Sequence, residues 1–85
     1  MVRVEDIEKA LDSEITFALN LVKRYAVENN LDDFKLIQRI CTDQLLGMKL
    51  LLQDILPWNK YGELARKINV ANGRIHSATW KGGAA

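Results

Sequence analysis

Few residues in this sequence could carry covalent or metal chemistry. Cys41 is the only thiol and His76 the only imidazole. A nucleophilic thiol needs an accessible, electropositive setting that favours the thiolate. Cys41 instead falls on an apolar line with Ile37 and Leu45, which reads as a buried structural position. A Cys41–His76 dyad has no third group to orient the imidazole. One cysteine and one histidine cannot furnish a zinc site. Glu5, Glu8 and Asp12 recur at spacings of three and four, so on a helix they share a face. Such a face attracts hard cations. The Glu-x-x-His pair that builds carboxylate-bridged metal sites in bundles is absent, however, and a solvated face partly paired with Lys9 accounts for the cluster. The five glycines are scattered and form no phosphate loop. These readings predict a non-enzymatic protein with no cofactor and no metal.

The elements that hold these residues follow from periodicity. Residues 5–29 contain no Gly or Pro, and Glu5, Asp6 and Glu8 sit where carboxylates favour the positive end of a helix. Ile7, Leu11, Ile15, Ala18, Val22 and Tyr25/Ala26 recur at three and four. Asn29 or Asn30 can adopt the left-handed conformation that closes a helix. Asp32 is a candidate N-cap for a second helix, with Leu31 and Leu36 placed to form a hydrophobic staple. Ile37, Ile40, Cys41, Leu45, Met48, Leu52 and Ile55 continue the stripe until Pro57 ends it at Leu56. Two helices, about 5–29 and 33–56, are each roughly 36 Å long. Joined by a short turn, they read as an antiparallel helical hairpin within an all-α domain spanning 1–80, with 81–85 as a frayed tail.

The hairpin carries more apolar residues than its own seam can hide. Residues 15–22 read Ile-Thr-Phe-Ala-Leu-Asn-Leu-Val, and residues 45–52 read Leu-Leu-Gly-Met-Lys-Leu-Leu-Leu. A helix apolar around most of its circumference expects burial on more than one side. Phe17, Leu19, Leu21, Leu46, Leu50 and Leu51 cannot all face one partner helix, and each left exposed forgoes about 1.5–3 kcal/mol of burial. The sequence therefore predicts a homodimeric four-helix bundle or docking on another protein's helices, with Phe17, Leu21, Leu46, Leu50 and Leu51 at the interface. The alternative is that residues 57–80 fold back and cover the patch. Glu14, Thr16 and Asn20 fall near this apolar surface. Polar groups so placed fix register in helical assemblies or lie on the outer face.

Residues 61–80 admit three readings. Leu64-Ala65-x-x-Ile68-Asn69-Val70 followed by Ile75-x-x-Ala78 resembles a helix-turn-helix, with Asn69 as the left-handed turn residue. Asn72-Gly73 between two β-capable runs also fits a type I′ hairpin. The third reading is a short helix, about 60–68, followed by an irregular arm. Trp58, Tyr61 and Trp80 are large amphipathic bodies expected to pack this segment onto the bundle.

Charge adds a functional hint. Residues 57–85 hold five basic side chains and one acidic, on a mildly acidic body, within a net charge of +1. A basic end points to an anionic partner. If that partner is DNA, the candidate contacts are Arg66, Lys67, Arg74, His76 and Lys81. The composition, 48% apolar and 27% charged in 85 residues, excludes a disordered tail and two ordinary domains. One cysteine excludes an internal disulfide. No apolar run approaches the roughly 18 residues that span a bilayer, and the first residues lack the apolar stretch of a signal peptide. The expectation is a cytoplasmic helical assembly protein that self-associates through its hairpin and contacts a partner with its basic C-terminal segment. The alternative is a small DNA-binding regulator.

Overall fold

The computed structural model describes residues 3–82. It contains three helices and, among the described residues, no strand: α1 (Val4–Glu28), α2 (Leu31–Ile55) and α3 (Trp58–Ser77). α1 and α2 are joined by Asn29 and Asn30 alone and lie side by side, with the Gln44 amide donating to Glu14 Oε2 at 3.5 Å. Asn30, not Asp32, is the N-cap of α2, and its side chain accepts the Asp33 N–H at 2.8 Å. Leu31 is thus inside the helix, and both Leu31 and Leu36 are exposed, so the expected staple does not form. Neither Asn29 nor Asn30 is left-handed; both are extended, because two residues of extended chain suffice to reverse direction here.

The larger departure is α3. It runs unbroken from Trp58 to Ser77, past the expected end at 68 and through Asn72-Gly73. The β-hairpin is therefore excluded, as is an irregular arm starting at 69. No residue other than glycine has positive φ among the described residues, so Asn69 makes no helix-turn-helix turn. The physical reason is the stripe Leu64, Ile68, Ala71 and Ile75. Its three–four spacing seats all four side chains in the core at 2% exposure or less. A hairpin turning at Asn72-Gly73 would put Ala71 on the opposite face from Ile68 and Ile75, and burial of the whole stripe outweighs the weak helix propensity of Asn and Gly.

α3 lies against one side of the α1–α2 pair. Its stripe meets Leu11, Ala18, Val22 and Ala26 of α1, and Phe34, Cys41, Leu45 and Leu52 of α2. Thr42 is the one buried polar residue among the described residues, and its hydroxyl donates to the Gln38 and Arg39 carbonyls at 3.0 Å. Two cross-ties fix α3 relative to α1. Lys67 Nζ reaches Asp12 at 3.1 Å, and the Lys81 N–H donates to the Ala26 carbonyl at 2.9 Å. Both ties span the same number of residues, so α1 and α3 run parallel in one register. Helix ends are satisfied by neighbours. Gln38 donates to the carbonyls of Ile75 and Ala78 at 2.8 and 3.2 Å, and the Trp80 indole N–H donates to the Asn29 carbonyl at 2.9 Å. Lys81, placed in the tail from sequence, is thus tied to α1 through its backbone; residues 83–85 of that tail lie outside the described residues. Tyr61 packs on the core as expected, but Trp58 is 83% exposed, its ring 6.1 Å from that of Tyr61. Trp58 opens α3 just after Pro57, nearly two turns before the buried stripe begins at Leu64, which leaves its ring beyond the core.

The molecule is elongated, 48 by 18 by 15 Å. Its radius of gyration is 14.3 Å, against about 12 Å for a compact chain of this length. Three long rods with one shared seam leave much helix surface uncovered.

Candidate functional site

α3 covers one face of the hairpin and leaves the other bare. The Glu14–Gln44 contact marks the α2-facing side of α1 and the α1-facing side of α2. Steps of three and four from Glu14 give Ile7, Ala10, Phe17 and Leu21. The same steps from Gln44 give Ile37, Ile40, Gly47, Leu51 and Ile55. These two rows form the outer face of the hairpin, opposite α3. Phe17 and Leu51 are 63% and 62% exposed, and Ile40 and Ile55 are exposed beside them. Tyr25, Leu36, Ile37 and Ile40 line one shallow depression across both helices near the Asn29–Asn30 link. A heptad-like repeat on each helix is the pattern of a second helix–helix seam.

The five expected interface residues do not share this face. Phe17, Leu21 and Leu51 belong to it, with Leu21 half-buried. Leu46 lines the groove between α2 and α3, beside Gln38, Thr42, Asn72 and His76. Leu50, one turn further along α2, lies on the same side as Leu46 and is exposed. Ile40 and Ile55, assigned to the core stripe from sequence, belong to the outer face instead. The signal was present in the sequence as a second three–four register interleaved with the first. Only the position of α3 says which register it covers.

The basic residues of the C-terminal segment also divide. Arg66, Lys67 and Arg74 line a groove between α1 and α3 of about 520 Å³, together with Asp12, Ile15, Leu19, Glu63 and Val70. Lys67 is already occupied. Its ammonium lies 3.1 Å from Asp12 and 3.7 Å from Glu8. The hydrogen bond to Asp12 and the charge of both carboxylates push the Lys67 ammonium above its ordinary range. Lys67, not the expected Lys9, is thus the lysine paired with Glu8 and Asp12 of the acidic row. His76 faces the α2–α3 groove, on the other side of α3. Lys81 is exposed on the arm beyond α3. The five candidate nucleic-acid contacts therefore do not form one stripe.

For covalent chemistry the structure brings little together. Cys41 is 4% exposed and burial pushes its thiol up, away from the reactive thiolate. His76 is exposed on α3, so the Cys41–His76 pairing has no shared site. Among the described residues, no group of three or more His, Cys, Asp and Glu side chains is placed to hold a metal ion. No helix among them is long and apolar enough to cross a membrane. Comparison with protein-family models, with curated proteins and with solved structures found no match to the chain.

Proposed function

We propose that this protein is a non-enzymatic helical assembly module of the cytoplasm. Two copies pair through the outer faces of their α1–α2 hairpins to make a four-helix bundle, and the basic C-terminal segment of each contacts a further partner. The observation that carries this reading is the outer face itself, where Phe17, Ile40, Leu51 and Ile55 are exposed at heptad-like positions, with Ile7 and Leu21 half-buried against the core in the same rows. Covering an exposed side chain of this size is worth about 1.5–3 kcal/mol. A second copy offers a face of the same shape and length. The Glu14–Gln44 pair interrupts the apolar rows near the middle of both helices. A two-fold axis at that point sets the two polar pairs against each other and covers both apolar halves. Buried polar pairs of this kind fix register in coiled coils. Gly47 favours the same reading. It lies mid-helix on the outer face, and a methyl group there would meet nothing within 4 Å in the single chain. Its cost of about 0.5–1 kcal/mol relative to Ala has no reason within one chain, but close approach of a second helix supplies one. A lone buried thiol suits a reducing compartment.

The test is solution mass by light scattering across a concentration series, for the natural chain and for Ile40→Lys/Leu51→Lys. The natural chain is expected at twice the mass of the variant, with helical dichroism unchanged in the variant. Equal masses for the two proteins, both folded, would remove the dimer.

A further inference from the structure

We propose that the groove between α1 and α3 is a docking site for an acidic amphipathic helix of another protein, gripped by Arg66 and Arg74 on either side of an apolar floor. This rests on the partner-contact half of the function proposed above and gives that partner a chemistry.

The argument begins with charge. The groove holds two carboxylates and three cations. Asp12 is taken by Lys67 at 3.1 Å, and Glu63 by Lys60 at 3.3 Å. Arg66 and Arg74 have no carboxylate within 4 Å among the described residues. The groove's own acids are thus neutralised from within, and two guanidinium groups remain to be matched from outside. The two arginines sit eight residues apart on α3, which is about 12 Å. Val70 lies midway between them and is 55% exposed. Ile15 and Leu19 of α1 face it across the groove. The order along the groove is cation, apolar floor, cation. An α-helix with carboxylates two turns apart and a large apolar residue one turn from each has the complementary order. Arginine forms bidentate pairs with carboxylates, which ties the partner's orientation to both ends at once.

The Lys67–Asp12 pair joins α1 to α3 inside the groove, beside Arg66, and the arm carrying Ala78, Trp80 and Lys81 crosses to α1 beyond Arg74. Lys23 flanks the groove beside Arg74 and Ala78, which extends the positive rim towards that arm. Nucleic acid fits this geometry poorly. A phosphate backbone gains from unbroken rows of cations, and here the two arginines are separated by an apolar floor and flanked by carboxylates.

The test uses the full-length chain and a fluorescein-labelled, alanine-based peptide of about 18 residues, long enough to be helical in water. The peptide carries Glu at two positions eight apart with Leu midway. Its twin carries Lys in place of both Glu, and a labelled DNA duplex is the third probe. Fluorescence anisotropy is expected to show the Glu peptide binding at least about tenfold tighter than the Lys twin. Arg66→Glu/Arg74→Glu is expected to reverse that order, and Arg66→Gln/Arg74→Gln to abolish the difference. Both arginines are exposed, and helical dichroism checks that each variant is folded. Equal affinity for the two peptides, no binding of the Glu peptide, or tighter binding of the duplex would overturn the proposal. Ile40→Lys/Leu51→Lys is expected to keep the preference for the Glu peptide. Failure of the dimer and failure of the groove are therefore read separately, one by mass and the other by anisotropy.

Discussion

The two faces of the α1–α2 hairpin carry apolar residues at the same spacing, yet they meet different fates. On one face Leu11, Ala18, Val22, Cys41, Leu45 and Leu52 are sealed by α3. On the other Phe17, Ile40, Leu51 and Ile55 stand in the open. The residues differ little in hydrophobicity. What separates the faces is that α3 is a single rod and can lie in only one groove of the pair. A stripe at helical spacing marks a surface that needs a partner, and the supply of partner helices within the chain decides which stripe becomes core.

That comparison is broken most sharply by truncating one large side chain on each face. Leu11→Ala removes a fully buried side chain and is expected to cost about 2–5 kcal/mol, lowering Tm by about 10 °C or more. Phe17→Ala, measured by thermal denaturation at concentrations where the mass reads monomer, is expected to change stability by no more than about 0.5 kcal/mol. Similar losses at both positions would mean that the two faces are equally sealed.

Gly47→Ala sharpens the comparison. The added methyl enters open space in the single chain, so it should stabilise the monomer by about 0.5–1 kcal/mol. If two copies pair as proposed, the same methyl is expected to meet the facing helix and to shift the mass towards monomer. A gain in Tm with the association constant unchanged would place the seam away from Gly47.

The smallest effect is in alkaline pH, and it belongs to the sealed side. Burial raises the Cys41 thiol, and the Asp12 hydrogen bond with the flanking carboxylates raises the Lys67 ammonium. In both cases the folded chain holds a proton that the unfolded chain releases more readily. Their contributions are complete below the unfolded values, about 8.5 for the thiol and about 10.4 for the ammonium. They are lost as pH rises through the higher folded values. Tm should therefore be level near neutrality and fall above about pH 9. Cys41→Ala removes the earlier part of the fall and Lys67→Met the later part, which is slight because Lys67 is only half-buried and its ion pairs are screened by water.

The long helices were legible because both conditions for reading a helix were met. Leu11, Ala18, Val22 and Ala26 keep three–four spacing without an internal Gly or Pro, and Pro57 punctuates the chain near the true end of α2. α3 was not legible from residue 69 onward. Its local signals, Asn69 and Asn72-Gly73, favour turns, and the stripe Leu64, Ile68, Ala71, Ile75 is decisive only once α1 and α2 are there to receive it. The exposed apolar surfaces were half legible for a related reason. Surplus apolar residues were visible, but Leu50 and Leu51 point about 100° apart on a helix. Adjacency in sequence therefore placed on one interface two residues that belong to different sides. The acidic row Glu5, Glu8 and Asp12 was visible too. Its partner Lys67 lies 55 residues from Asp12, and no local pattern reaches that far.

The indole of Trp80, hydrogen-bonded to the Asn29 carbonyl, has a consequence of its own. The other indole, Trp58, stands in water at the opposite end of the rod. The molecule thus carries two intrinsic fluorophores in contrasting surroundings, one per end. Collisional quenchers should reach Trp58, 83% exposed, more readily than Trp80, 38% exposed, and the difference should shrink when the arm lifts from α1. A loss of the shielded component would report peeling of the C-terminal arm while the three helices remain in place.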